Sequence, residues 1–249
     1  MRRRSKRREK RGVYLLPNLL TAASLLCGFY ALVASWKGEF VHAAVAILLA
    51  GLFDGIDGKV ARLTHSASRF GTEFDSLADL VSFGVAPAML AYSWVLHPYG
   101  RWGWLAAFLY VICGALRLAR FNVRATAAEM RHFSGLPTPA AAYGIATTVL
   151  LSQRLGIPIE EKGLFLSILL YLLAFLMVSN FPYPSFKDLE LLRRRPFSTL
   201  VTGILIMVVV IAEPQITLFL CSWAYVTLGP LKRVRIMRQE KLVKERELG

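Results

Sequence analysis

Four of the chain's five aspartates, Asp54, Asp57, Asp75 and Asp79, fall within one stretch of 26 residues. Asp54 and Asp57 are three positions apart and Asp75 and Asp79 four, so on helices each pair projects from one face. The short connection between the pairs lets two such helices run antiparallel with their acids opposed. Convergent carboxylates with no Cys or His completing the set form a hard-oxygen site; His65, on the connection, reads as an interfacial residue. Such a site suits Mg²⁺ or Mn²⁺, admits Ca²⁺ and disfavours Zn²⁺. Four carboxylates have the charge to hold two ions a few ångströms apart, an arrangement that serves phosphoryl transfer.

The elements that must carry these acids are costly places for charge. Of the 249 residues 55% are hydrophobic and 18% charged, yet the formal net charge is +14, from 30 Lys and Arg against 16 Asp and Glu. A disordered basic chain would be poor in apolar residues. Long apolar runs separated by short basic stretches exclude a soluble globular fold. Eight runs long enough to cross a bilayer as helix lie near 14–36, 40–56, 73–96, 102–119, 136–153, 163–180, 197–212 and 214–230. A carboxylate at the centre of such a helix costs roughly 2.5–3.5 kcal/mol on insertion scales, and four cost roughly 10–14 kcal/mol. That is too much for an incidental feature, so positive charge must face them.

With the N-terminus placed in the cytoplasm, the basic residues sort to one side. Inside segments hold eight before residue 13, three at Lys59, Arg62 and Arg69, four at Arg117, Arg120, Arg124 and Arg131, four at Lys187, Arg193, Arg194 and Arg195, and seven after Pro230. The outside loops keep four, Lys37, Arg101, Arg154 and Lys162. This asymmetry follows the positive-inside rule and puts both termini, and the connection between the acid pairs, in the cytoplasm. The expected protein is all-α and polytopic, with eight transmembrane helices. It divides into a basic N-terminus (1–12), a membrane core (13–196), two further membrane helices (197–230) and a basic tail (231–249). The basic ends are expected to set topology and lie against anionic headgroups rather than nucleic acid. Leu231, Val234, Met237 and Leu242 suit an amphipathic surface helix in the tail. The basic start leads into an apolar run without a small-residue cleavage site and reads as a retained anchor. Cys27, Cys113 and Cys221 stand alone in apolar runs, form no metal pattern and read as small buried hydrophobes.

Around the acids, Gly55, Gly58, Ala61 and Gly71 remove side-chain bulk where a flat ligand or a second helix approaches. Arg62, eight residues after Asp54, can hold a phosphate bidentately; its blander role, shared by Lys59 and Arg69, is a topology charge. From Asp54 to Asp79 the residues read D-x2-D-G-x2-A-R-x8-G-x3-D-x3-D. This resembles the signature of the CDP-alcohol phosphatidyltransferase family at every motif position. The resemblance implies an integral membrane enzyme with a six-helix core, usually a homodimer, that displaces CMP from a CDP-linked lipid with a hydroxyl nucleophile. By position it implies that Asp54, Asp57, Asp75 and Asp79 ligate two metal ions and that Asp79 is also the general base. It further implies that Gly58, Ala61 and Gly71 line the CDP site and that Arg62 binds the diphosphate.

Outside the motif, LLPNLLT (15–21), SLADLVSFGVAPAML (76–90), ALRLARFN (115–122), FSGLPTPAAA (133–142) and MVSNFPYPSF (177–186) resemble the phosphatidylserine synthase branch of that family. The likeness covers most of residues 13–187 and implies CDP-diacylglycerol and L-serine as substrates, in the inner membrane with the site facing the cytoplasm. Serine needs a partner for its carboxylate. Arg117, Arg120 and Asn122, at the inner end of the fourth helix, are the candidates for serine or a lipid phosphate; the first two share a face. Pro137, Pro139, Pro182 and Pro184 are expected to shape helix entries, with Ser134 and Asn180 as weaker polar contacts. The rival acceptors are glycerol 3-phosphate and inositol phosphate, or serine on an archaetyl lipid. A rival of another class is a divalent-cation transporter that uses the acids as its ion site.

Overall fold

The structure is a computed structural model that describes residues 15–64, 68–125, 135–156, 159–183, 208–209 and 212–247. The expectations for 1–12, His65, Ser134, Pro184 and most of 197–212 lie outside the described residues. Every regular element among those described is helical. Among the described residues three segments are long and apolar enough to cross a membrane, Leu15–Trp36, Phe40–Leu63 and Arg69–Val123, and a shorter apolar helix covers Gly163–Val178.

Helices α1 (Leu15–Trp36) and α2 (Phe40–Leu63) form the first hairpin. The inward side of α1 is small or polar: Pro17, Thr21, Ser24, Gly28, Ala31 and Ala34 recur every three or four residues and are buried. Its large residues, Leu19, Leu26, Phe29 and Trp36 among them, face outward. Helix α2 answers with Ala43, Ala44, Ala46, Ile47 and Ala50. This inverts the pattern of a soluble helix. Lipid tails are as apolar as leucine, so association gains little from hiding leucine and more from bringing backbones close.

Helix α3 (Arg69–Asp79) begins at Ser68, whose hydroxyl accepts the Gly71 N–H at 3.0 Å. It continues without a break through a π-helical turn (Leu80–Val85), α4 (Ala86–Ala91), a second π-helical turn (Tyr92–Leu96) and a 3-10 turn (His97–Tyr99). At Gly100 the chain reverses with φ +54°, a conformation open to glycine. Helix α5 (Gly100–Ala125) then runs back along the same elements. Gly103 meets Leu96, the Tyr110 hydroxyl donates to the Phe83 carbonyl at 3.1 Å, Gly114 meets Gly84, and Asn122 bonds Ser76. The long apolar stretch 69–123 is thus two antiparallel arms. Tyr110 also satisfies a carbonyl inside the π-helical turn, where the regular ladder is disturbed.

Helices α6 (Thr138–Arg154), α7 (Ile159–Val178) and α8 (Pro214–Glu247) complete the described bundle. Helix α6 starts after Pro137 with Pro139 in its first turn, where the missing N–H costs nothing. Helix α7 packs on α5, and its Leu166, Leu169, Leu170, Leu173, Leu176 and Met177 are buried. Helix α8 packs on α6, where Trp223 Nε1 donates to Thr148 Oγ1 at 3.2 Å. On the side opposite the acids, Arg154 at the end of α6 pairs with Glu213 ahead of α8. That hydrogen bond holds the Glu213 carboxyl below the ordinary carboxylate range.

Two expectations change here. The basic tail is not a separate helix: α8 runs 34 residues through Pro230 into it, about 51 Å at 1.5 Å per residue. Of the cysteines, Cys27 and Cys113 are half-buried and Cys221 is exposed. A helix surface that meets lipid need not hide a small apolar thiol.

Candidate active site

Asp54 and Asp57 lie in the C-terminal half of α2, and Asp75 and Asp79 in the second half of α3. Both helices pack against α1, and this brings the two pairs together. Carboxylate oxygens of Asp54, Asp57 and Asp75 lie within 4.8 Å of one another. Asp79 joins them at hydrogen-bonding distance from Asp54. No described Lys or Arg forms a salt bridge with any of the four. Like charges this close, with no described cation paired to them, repel strongly unless an ion sits among them. The donor set is oxygen only, so it fits a hard divalent ion.

Asp57 has the least solvent-accessible surface of the four, 4% exposed. Its Oδ2 accepts a hydrogen bond from Thr21 Oγ1 at 2.8 Å, and Thr21 is itself buried on α1. The same hydroxyl lies 3.1 Å from the Pro17 carbonyl. With one proton it serves one acceptor well, and an ionised carboxylate is the stronger acceptor. Thr21 therefore fixes one oxygen of Asp57 and leaves the other for an ion, the usual work of a partner behind a metal ligand. Thr21 closes the LLPNLLT segment, where nothing in the sequence marks it as the partner of Asp57.

The small residues divide by their surroundings. A Cβ added at Gly55 would meet nothing within 4 Å, and one at Gly58 would meet only Arg62 Nη1, at 4.0 Å. Both leave open space beside the acids, and Ala61 is half-buried with Arg62 exposed next to them. Gly71 differs: a Cβ there would press on Ser68 Oγ at 3.1 Å and Asn18 Oδ1 at 3.3 Å. Its lack of a side chain is matched by the approach of α1.

Arg117, Arg120 and Asn122 gather at the C-terminal end of α5, where they meet the end of α7. Arg117 Nη1 donates to the Met177 carbonyl at 3.3 Å. Arg120 donates to the Val178 carbonyl at 3.4 Å and to Asn180 Oδ1 at 2.6 Å. These carbonyls belong to the last turn of α7, which lacks intrahelical partners and attracts cations. Asn122 Nδ2 donates to Ser76 Oγ at 2.9 Å, and Ser76 is the neighbour of Asp75. The arginine cluster is thus tied through one side chain to the acid helix. The Gly135 backbone, at φ +87°, passes so close that a Cβ would sit 2.8 Å from Arg117 Nη1.

Residues 14–179 match the sequence profile of CDP-alcohol phosphatidyltransferases. The chain is 44% identical over 179 residues to a CDP-diacylglycerol–serine O-phosphatidyltransferase of Helicobacter pylori, an alignment covering 72% of this chain and 75% of the relative. It is 38% identical over 173 residues to the Bacillus subtilis protein of the same name, covering 69% and 91%. An archaetidylserine synthase of Methanothermobacter thermautotrophicus is 39% identical over 171 residues, covering 68% and 69%.

Proposed function

The chain belongs to the CDP-alcohol phosphatidyltransferase family, and from that premise we propose that it transfers the phosphatidyl group of CDP-diacylglycerol to the hydroxyl of L-serine, releasing CMP and phosphatidylserine. The observation that supports this most is the convergence of Asp54, Asp57 and Asp75 within 4.8 Å, with Asp79 beside them. The serine acceptor rests on the two relatives named for it, at 44% and 38% identity.

In this reading Asp54, Asp57, Asp75 and Asp79 hold two divalent ions, Mg²⁺ or Mn²⁺. When bound, the ions neutralise the diphosphate and polarise its phosphorus. Gly58 and Ala61 make room for the cytidine, Gly71 lets α1 approach at the edge of the CDP site, and Arg62 takes the diphosphate as a bidentate donor. Arg117, Arg120 and Asn122 receive the serine carboxylate or the lipid phosphate. Asp79 accepts the proton of the serine hydroxyl once that hydroxyl is within hydrogen-bond reach. The serine oxygen bonds to the phosphorus that carries diacylglycerol. The bond from that phosphorus to the bridging oxygen breaks, and CMP leaves with the electron pair. The protein works as a homodimer of eight-helix subunits in the inner membrane, with both termini and the site on the cytoplasmic side, where serine and CDP-lipid are available.

The test is an acceptor panel. Purified protein given CDP-diacylglycerol and Mn²⁺ should release CMP and form lipid with L-serine, and not with glycerol 3-phosphate or inositol phosphate. Preference for a phosphorylated alcohol would overturn the reading. A chelator should stop the reaction and Mg²⁺ or Mn²⁺ restore it; metal flux in vesicles without CMP release would point instead to transport. The archaetidylserine synthase relative favours one second reading, serine transfer onto an archaetyl donor. Presenting both CDP-lipids in competition separates the two.

A further inference from the structure

Tyr143 follows directly on the FSGLPTPAAA segment and sits in the first half of α6, half-buried. Its ring crosses to α2. A Cβ built on Gly51 would lie 1.7 Å from the Tyr143 hydroxyl oxygen and 2.5 Å from the ring carbon bearing it. Any larger residue at 51 would push the phenol away. Gly51 precedes Asp54 by three positions and shares its face of α2, so the notch delivers the hydroxyl one helical turn from the first acid. The charges of Asp54 and Asp79 both act on that hydroxyl. Yet no other described residue hydrogen-bonds it, although a tyrosine held in a low-dielectric bundle ordinarily finds a partner. Packing alone would be served as well by phenylalanine. A hydroxyl held beside the acids with no described partner fits a ligand that bonds it.

We propose that Tyr143 is a contact for the acceptor alcohol: its phenol hydrogen-bonds the incoming serine beside Asp79, so that the alcohol is held between α3 and α6. This inference rests on the serine-transfer reading above. The tyrosine keeps its own proton and does not take part in bond breaking; its contribution is to orient the acceptor. The Gly51 notch is the second half of the device, because it sets where the phenol oxygen stands.

The test uses the full-length protein in lipid nanodiscs with Mn²⁺. Tyr143→Phe should lower kcat/KM for serine roughly three- to tenfold, as loss of one neutral hydrogen bond does. KM for CDP-diacylglycerol and the Mn²⁺ concentration for half-activity should stay at wild-type values. Gly51→Ala displaces the hydroxyl without removing it and should give a similar loss. The double variant should fall no further than the worse single one, since both changes remove the same contact. Wild-type serine kinetics in Tyr143→Phe, or an equal loss toward both substrates, would overturn the proposal. If Tyr143→Phe does not fold, Gly51→Ala decides alone, with unchanged serine kinetics as the outcome against. A wild-type protein that makes no phosphatidylserine would defeat the acceptor reading itself, a result distinct from any behaviour of Tyr143.

Discussion

The α1–α2 hairpin packs through Thr21, Ser24, Gly28, Ala31, Ala43 and Ala50, whereas α7 packs through Leu166, Leu169, Leu170 and Leu173. Both regions are tight, but they use different means. Small residues let backbones approach and leave no flexible side chain to absorb an error. Leucines interdigitate and can shift rotamer when a neighbour changes. Asp54 and Asp57 belong to that hairpin, Asp75 and Asp79 to α3, which packs on α1, and all four are aspartates. A carboxylate one carbon from the backbone has little reach of its own, so its position is set by the separation and rotation of the helices. The small-residue half should therefore be sensitive in chemistry, and the leucine half in stability alone.

The largest effect should come from the acids. Asp79→Asn removes the proposed base and should cut CMP release by roughly 10²–10⁴-fold while much of the CDP-lipid binding survives; turnover at the wild-type rate would remove the base assignment. Next is Gly28→Val. A Cβ at 28 would lie 2.4 Å from Ser82 Oγ, three residues after Asp79, so the variant should drive α1 from the acid-bearing arm. Misplacement by about 1 Å costs on the order of 10²-fold in rate, measured as kcat in protein that still elutes as a folded species.

Thr21→Val keeps the shape and removes the hydrogen bond to Asp57. Mn²⁺ binding, followed by the EPR signal of the free ion, should weaken roughly 10–100-fold, and Thr21→Ser should recover most of it. Unchanged affinity would reduce Thr21 to a packing residue. In the leucine half, Leu170→Ala should lower stability by roughly 2–3 kcal/mol, the low end for a buried leucine, because the cavity remains while lipid rather than water meets the exposed chain. Its kcat/KM, per folded molecule, should not move; a tenfold loss of activity there would break the contrast between the two regions. The smallest effect is expected at Glu213→Gln. The pair with Arg154 is exposed, and exposed pairs are strongly screened, so the melting temperature and turnover should match wild type.

Much of this protein is legible in its residues. The spacing of Asp54, Asp57, Asp75 and Asp79 determines which side of each helix bears charge, because helical periodicity is local. Apolar runs set the membrane segments for the same reason, and the basic residues divide between their ends. The π-helical turn after Asp79 is not legible, since the Phe83 carbonyl within it is met by Tyr110, a residue from another helix. Nor is the continuous α8: its apolar and basic stretches look like two elements, and only the absence of a break at Pro230 makes them one. Thr21 and Tyr143 illustrate the limit most clearly. Nothing near either in sequence says that one reaches Asp57 and the other fills the notch at Gly51. A local pattern specifies what a helix offers on each face; which offer is taken up depends on the helix that comes to lie against it.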